Sequence, residues 1–193
     1  DLMAANYNAE AEPYHPILGA EEPEAHLHPN AQRSLFAQLS DGIGQTIVST
    51  HSPYLAAMCA IDGLRSLSVL GGTTRCRQLI PGLKPSELAL LNREVIRNKG
   101  ETLYCRAMIL FEGQTEEQVV PAMFQKWFGT AAFQAGVNLI SVNGQNYSPY
   151  VKLAGSFGIP VFIVSDNDKN VKASIQSQIA KIPASTGLVL GQD

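Results

Sequence analysis

Met108-Ile109-Leu110-Phe111-Glu112-Gly113-Gln114-Thr115-Glu116 is the stretch on which the reading of the chain turns. Its apolar run predicts a strand over residues 107–111, and Gly113 predicts a sharp turn where that strand stops. Thr115 is the expected N-cap of a helix over residues 115–128. Glu112 then stands at the carboxyl tip of a strand and Glu116 in the first helical turn, so both carboxylates can face one point. The pattern starts again downstream, with strands expected at 137–142 and 160–164 and a helix at 149–157. Such alternation implies βαβ crossovers, a parallel sheet and the α/β class. Reactive groups in these sheets gather at the carboxyl ends of the strands.

The last of those strands runs into Ser165-Asp166-Asn167-Asp168. In an extended segment Asp166 and Asp168 point to the same side. Two strand tips thus offer Glu112, Glu116, Asp166 and Asp168 to one space, where their mutual repulsion calls for a cation. Oxygen-only ligands favour magnesium or manganese over zinc. Such ions lower the pKa of a bound water and clamp the oxygens of an in-line phosphoryl displacement, which phosphodiester cleavage needs. The loop Val142-Asn143-Gly144-Gln145-Asn146 closes the middle strand and can approach the same phosphate. A solvated acidic loop is the bland alternative, and the nearby Glu112–Glu116 turn weighs against it. Phe124, Trp127 and Phe128 fall at helical spacing and read as core or helix-packing residues.

Upstream, residues 16–20 predict a short buried strand that ends in Glu21-Glu22-Pro23. Adjacent carboxylates there need partners, such as a nucleotide-bound magnesium ion and a polarised water. A helix is expected after Pro29, with Ala31, Leu35, Phe36 and Leu39 on one face and Gly42 and Gly44 as its stop. A second buried strand over 45–49 delivers His51 within Ser49-Thr50-His51-Ser52-Pro53, where the imidazole can reach a γ-phosphate. Residues 54–60 read as helical, 66–70 as a strand before a Gly71-Gly72 turn, and 86–98 as a helix within a connecting stretch. His26 and His28 stand two apart without a third nitrogen or sulfur ligand, so hydrogen bonding or packing is expected of them rather than zinc.

Two stretches carry a family resemblance. Ile17-Leu18-Gly19-Ala20-Glu21-Glu22 looks like the Walker B strand of ABC-type ATPases. Pro23-Glu24-Ala25-His26-Leu27-His28-Pro29 completes the EEPExHLHP run of the branch that holds the OLD (overcoming lysogenization defect) nucleases, and His51 matches its switch histidine. The resemblance implies that Glu21 holds magnesium through water, Glu22 polarises the attacking water and ATP is the nucleotide. No GxxxxGKS/T loop or LSGGQ-like signature occurs, so the chain carries the hydrolysis half of such a site. Leu110-Phe111-Glu112-Gly113-Gln114-Thr115-Glu116 looks like the EGxTE form of the OLD-family Toprim domain. That implies metal binding by Glu112, Asp166 and Asp168, joined by Glu116, with Ser165 on a metal-bound water or phosphate. The family also uses a later lysine, whose position neither Lys169 nor Lys172 matches.

The expected organisation is therefore the end of an ABC-type ATPase domain at 1–80, a connecting segment at 81–106 and a Toprim domain at 107–193, incomplete at its C-terminus. The resemblance implies an ATP-regulated, divalent-metal-dependent DNA endonuclease acting in phage defence or DNA processing. DNA, a homodimer or higher homo-oligomer formed through the ATPase, and an accessory defence protein are the implied partners. Two alternatives stand beside it: a primase- or topoisomerase-like Toprim enzyme, and an ABC-type repair or scaffold ATPase with an inactive Toprim domain. Length allows one domain or two small ones in 193 residues, and 45% hydrophobic against 16% charged content supports a packed core. A net charge of −3 argues against a broad basic nucleic-acid footprint, though bound cations would offset some of the acids. Three scattered cysteines, no bilayer-length apolar run and no leader predict a reducing cytoplasmic setting. A first residue other than methionine and an abrupt end after a strand-like run read as a piece of something longer.

Overall fold

The computed structural model describes residues 17–42, 44–79, 81–93, 100–165 and 171–179. Asp166, Asp168 and Lys169 lie outside that range, as do residues 94–98 of the expected connecting helix. Two compact units divide the chain, Asp1–Cys59 and Ala60–Asp193. No helix among the described residues is long and apolar enough to cross a membrane.

In the first unit β1 (Ile17–Glu21) pairs parallel with β2 (Gln45–Ser49), Ile17 opposite Gln45 and Glu21 opposite Ser49. Parallel neighbours need a crossover, and α1 (Pro29–Ser40) supplies it. That helix starts where the sequence dictates. The His28 ring accepts the Asn30 N–H at 3.3 Å, and Pro29 takes a first-turn position where a missing N–H costs nothing. Leu39 is buried and Leu35 and Phe36 half-buried, whereas Ala31 is exposed and does not share their face. Ser52 caps α2 (Pro53–Ala56), which is a single turn rather than the helix expected over 54–60. Arg33 ties α1 to α2, with its guanidinium hydrogen-bonded to the Tyr54 hydroxyl and 5.6 Å from the ring centroid. The two strands are not buried as expected. They alternate exposed and half-buried positions, because a two-stranded sheet leaves Ile17 and Ile47 on a face that nothing among the described residues covers.

The second unit opens with an antiparallel hairpin, β3 (Arg65–Leu70) and β4 (Thr73–Gln78), joined at Gly71-Gly72. Both glycines have positive φ, +59° and +77°, as a tight two-residue hairpin loop demands. After α3 (Pro85–Leu91) the chain forms a three-stranded parallel sheet from β5 (Ala107–Phe111), β6 (Val137–Ser141) and β7 (Val161–Val164), in the order β6-β5-β7. β5 is the middle strand, and Met108, Leu110 and Phe111 are wholly buried. α4 (Gln114–Phe128) leads from β5 to β6, and α5 (Ser148–Phe157) leads from β6 past β5 to β7. These crossovers run in opposite directions, and right-handedness therefore sends α4 and α5 to opposite faces of the sheet.

Their surroundings differ accordingly. α5 is buried almost all round, from Pro149 to Phe157, between the sheet, α3, β4 and α6 (Val171–Ile179). α4 packs along β6 and buries no residue fully. Trp127 is 84% exposed and Phe128 62%, so neither is a core residue; Phe124 is half-buried and rests against Phe128 along the helix, 4.5 Å between ring centroids. The hairpin also belongs with this unit. Arg77 on β4 lies over Gly158 and donates to the Phe157 carbonyl at 3.3 Å, at the C-terminus of α5. The compact division thus falls after Cys59, earlier than the boundary at 80 drawn from sequence motifs.

Candidate functional site

Strand order fixes where the second unit concentrates its chemistry. In β6-β5-β7 the chain leaves β5 toward one side and later places β7 on the other, so the crevice of a parallel sheet opens at the carboxyl ends of β5 and β7. Phe111 is in register with Ser141 on β6 and with Val164 on β7. The next residue on each strand, Glu112, Val142 and Ser165, therefore emerges level with the others.

Glu112 is held at that crevice from both sides. Its Oε1 accepts a hydrogen bond from the Ser165 hydroxyl, and its Oε2 lies 3.5 Å from Gln145 Nε2. Its main-chain carbonyl accepts the Gly144 N–H at 2.8 Å, which draws the loop after β6 across the tip of β5. Asn143 and Gly144 adopt positive φ, 51° and 134°, to make that turn. Glu116 folds back over the Gly113 backbone, and a Cβ built on Gly113 would lie 3.2 Å from its Oε2. Gly113 itself is the N-cap of α4, so the helix begins one residue before the expected Thr115 and Thr115 is not its cap. The Gly113 backbone is extended, at φ −138°, and space for Glu116 rather than a glycine-only conformation distinguishes the position.

The donor set suits a hard divalent ion as far as the described residues go. Both carboxylates offer oxygen only, and among the described residues neither has a Lys or Arg partner within ion-pair distance. Neutral donors on Glu112 fix its direction while leaving its charge uncompensated. Among the described residues no group of three or more His, Cys, Asp or Glu side chains comes together to hold a metal. Asp166 follows Ser165 directly in sequence, but both expected aspartates lie outside the described range. Ser165, expected from the family resemblance to contact a metal-bound water or phosphate, donates its hydroxyl to Glu112.

In the first unit Glu21 ends β1, exposed and level with Ser49. Glu22 turns out of the strand at φ 41°, and its N–H donates to the Ser49 carbonyl at 2.9 Å. Its Oε1 lies 3.8 Å from Nε2 of His51, so the structure brings these two expected residues together at the tips of β1 and β2. Glu24, within the same motif, has a role that the sequence does not signal. It is 6% exposed and accepts a hydrogen bond from Thr50, whose oxygen in turn accepts the Ser52 N–H at 2.9 Å. Burial pushes the Glu24 carboxyl upward, but hydrogen bonds from the Thr50 hydroxyl and from the backbone of Glu24 and Ser52, together with its contact with the Glu22 carboxyl, hold it below the usual carboxylate range. This network flanks His51 on both sides. Glu22, His26 and Asn143 are the non-glycine residues with left-handed backbone among those described, and Glu22 and Asn143 each belong to one of these two strand-tip sites. His28 is the N-cap of α1, its ring accepting the Asn30 N–H.

A strand-end carboxylate at a β6-β5-β7 crevice, preceded by a Glu-Glu strand tip beside a histidine, defines an α/β protein in which the end of an ATPase domain is followed by a Toprim domain. Comparison with known proteins agrees. Residues 103–168 match the model of the "Overcoming lysogenization defect protein-like, TOPRIM domain", and residues 2–56 match the "AAA ATPase domain". Both parts of the chain are thus similar to ATPase–Toprim proteins of the OLD type. It is 26% identical to the Old nuclease of Escherichia phage P2 over 83% of its own length and 29% of that protein's. It is 25% identical to the uncharacterized protein YbjD of Escherichia coli K12, over 84% of its length and 30% of that protein's. The chain thus spans less than a third of either relative. The C-terminal region of the Xanthomonas campestris pv. campestris OLD protein is 27% identical, covering 48% of this chain and 54% of that one, with a TM-score of 0.34.

Proposed function

We propose that the protein is a divalent-metal-dependent DNA endonuclease whose nicking or cleavage is regulated by ATP. The observation that carries this reading is Glu112, whose two oxygens are oriented by Ser165 and Gln145 without a cationic partner among the described residues, while Glu116 lies over the neighbouring Gly113 backbone. Glu112, Glu116, Asp166 and Asp168 form the metal and catalytic set. A magnesium or manganese ion bound there supplies an activated water and charge neutralisation for phosphodiester cleavage. Glu112 and Glu116 bind and orient, while Ser165 and Gln145 keep Glu112 from rotating away.

In the ATPase part Glu22 is the general base, Glu21 the magnesium residue through water and His51 the switch histidine that senses the γ-phosphate. The 3.8 Å approach of Glu22 and His51 supports that pairing of roles. By function the chain divides at 1–80 for the ATPase end, 81–106 for the connection and 107–193 for the Toprim domain. DNA as substrate, self-association through the ATPase, an accessory defence protein, a cytoplasmic site of action and a role in phage defence or DNA processing complete the reading. Supercoiled plasmid tests it. The protein with Mn2+ or Mg2+ converts supercoiled DNA to open circles, and Glu112→Gln and Asp166→Ala each abolish the conversion. Equal nicking by parent and variants overturns the site. No nicking by any of them favours an ATPase scaffold with an inactive Toprim domain.

A further inference from the structure

The loop that reaches Glu112 is pinned from far along the chain. Gln178 on α6 accepts the Ser148 N–H through Oε1 at 3.0 Å, and its Nε2 donates to the Gln145 carbonyl at 3.1 Å. The same amide nitrogen lies 3.3 Å from Ser174 Oγ one helical turn earlier. One side chain thus spans the end of the β6–α5 loop and the start of α5. The other end of the loop is fixed by the Gly144 N–H on the Glu112 carbonyl. Between the two pins stands Gln145, whose side-chain nitrogen is 3.5 Å from Glu112 Oε2, at the outer limit of a hydrogen bond. At that length a small drift of the loop breaks the contact. Asn143 holds a left-handed backbone, φ 51°, which costs a residue with a Cβ more than it costs the neighbouring Gly144.

We infer that Gln178 is a positioning residue for Glu112, acting through the 143–147 loop, an inference that rests on the metal site proposed above. Its chemistry is specific. The bridge needs an acceptor for Ser148 and a donor for Gln145 on one side chain of this length, and the glutamine amide offers both. Glutamate keeps the acceptor and loses the donor. It also brings a negative charge, which by itself would tighten cation binding, so a loss of metal affinity in Gln178→Glu comes from the loop and not from charge.

Mn2+ titration of the parent chain followed by electron paramagnetic resonance tests this, with Glu112→Gln defining the signal that belongs to the site. Gln178→Glu is expected to weaken that binding about threefold to tenfold, at the low end of outer-shell effects on metal sites. Its melting temperature stays close to that of the parent, since the Ser148 bond is retained. Gln178→Met, similar in length but without either bond, weakens Mn2+ equally and lowers the melting temperature as well. A structural role alone would lower the melting temperature in Gln178→Met and leave the affinity of both variants unchanged, which overturns the inference and leaves the metal site standing. Absence of any Glu112-dependent Mn2+ signal in the parent overturns both.

Discussion

A methyl group at position 113 would sit 3.2 Å from Glu116 Oε2, tight enough to push the carboxylate aside by a few tenths of an ångström. The backbone there is extended, so alanine meets no conformational strain. Exchange of a glycine N-cap for alanine costs α4 about 0.5–1 kcal/mol. Gly113→Ala is therefore expected to fold with that small loss in urea unfolding while its Mn2+ affinity falls about threefold to tenfold. Parental Mn2+ binding in Gly113→Ala would show that Glu116 stands outside the metal set. The residue scale also divides what was legible from what was not. The positions of Glu112, Glu22 and His51 just past strand ends, and of Glu116 in the helical turn after Gly113, were readable because apolar runs announce where those strands stop. The partners of Glu112 were not. Gln145 lies 33 residues away and Ser165 53, and only the strand order brings them to one point. Gln178 carries no sequence signal at all, being one polar residue on a polar helix.

Elements were legible in proportion to their apolar periodicity. The three central strands and the helices between them came out within a residue or so of their observed bounds. β4 was missed, since Thr73-Thr74-Arg75-Cys76-Arg77-Gln78 is mostly exposed and lacks an apolar alternation. Gly71-Gly72 after the alternating run Ser66-Leu67-Ser68-Val69 was its one available signal. α3 is anchored by a contact that pattern reading does not reach. Glu87, 15% exposed, pairs with Lys152 on α5 at 2.9 Å and also accepts the Lys84 N–H at 2.8 Å. Burial alone would raise the Glu87 carboxyl, but the Lys84 hydrogen bond, the Lys152 bond and the charges of Lys152 and Lys84 lower it overall. A carboxyl lowered on folding contributes stability above its unfolded-state pKa, about 4.3, and that contribution is lost as pH falls through the folded value. Glu87→Gln is thus expected to cost about 1–2 kcal/mol at pH 7, where it leaves Lys152 unpaired. The deficit shrinks as pH drops below about 4, where the parent protonates too. Urea unfolding of both proteins at pH 7 and pH 3.5 checks this, and a deficit independent of pH would assign the loss to packing instead.

At the scale of the whole molecule the two units differ in what each can bury. The described part of Asp1–Cys59 has only Leu39, Leu55 and Ala56 as buried apolar side chains, on a two-stranded sheet with one bare face. Two strands and a helix with so little apolar burial fall short of the entropy cost of ordering the chain. Ala60–Asp193 holds nearly all of the core, from Ile61 and Leu91 through the β5 residues to Tyr147, Leu153, Ile163 and Ile175. Every described hydrogen bond onto Glu112, and the Gln178 bridge behind it, also lies within that unit. A fragment of residues 60–193 is accordingly expected to unfold cooperatively and to keep the Glu112-dependent Mn2+ binding of the longer chain within about twofold, because energetic terms that share no partners add nearly independently. A fragment of residues 1–59 is expected to give the circular dichroism of an unordered chain. Loss of Mn2+ binding from a folded 60–193 fragment would mean that the ATPase end contributes to the geometry around Glu112, and the two chemistries would then have to be treated as one coupled site.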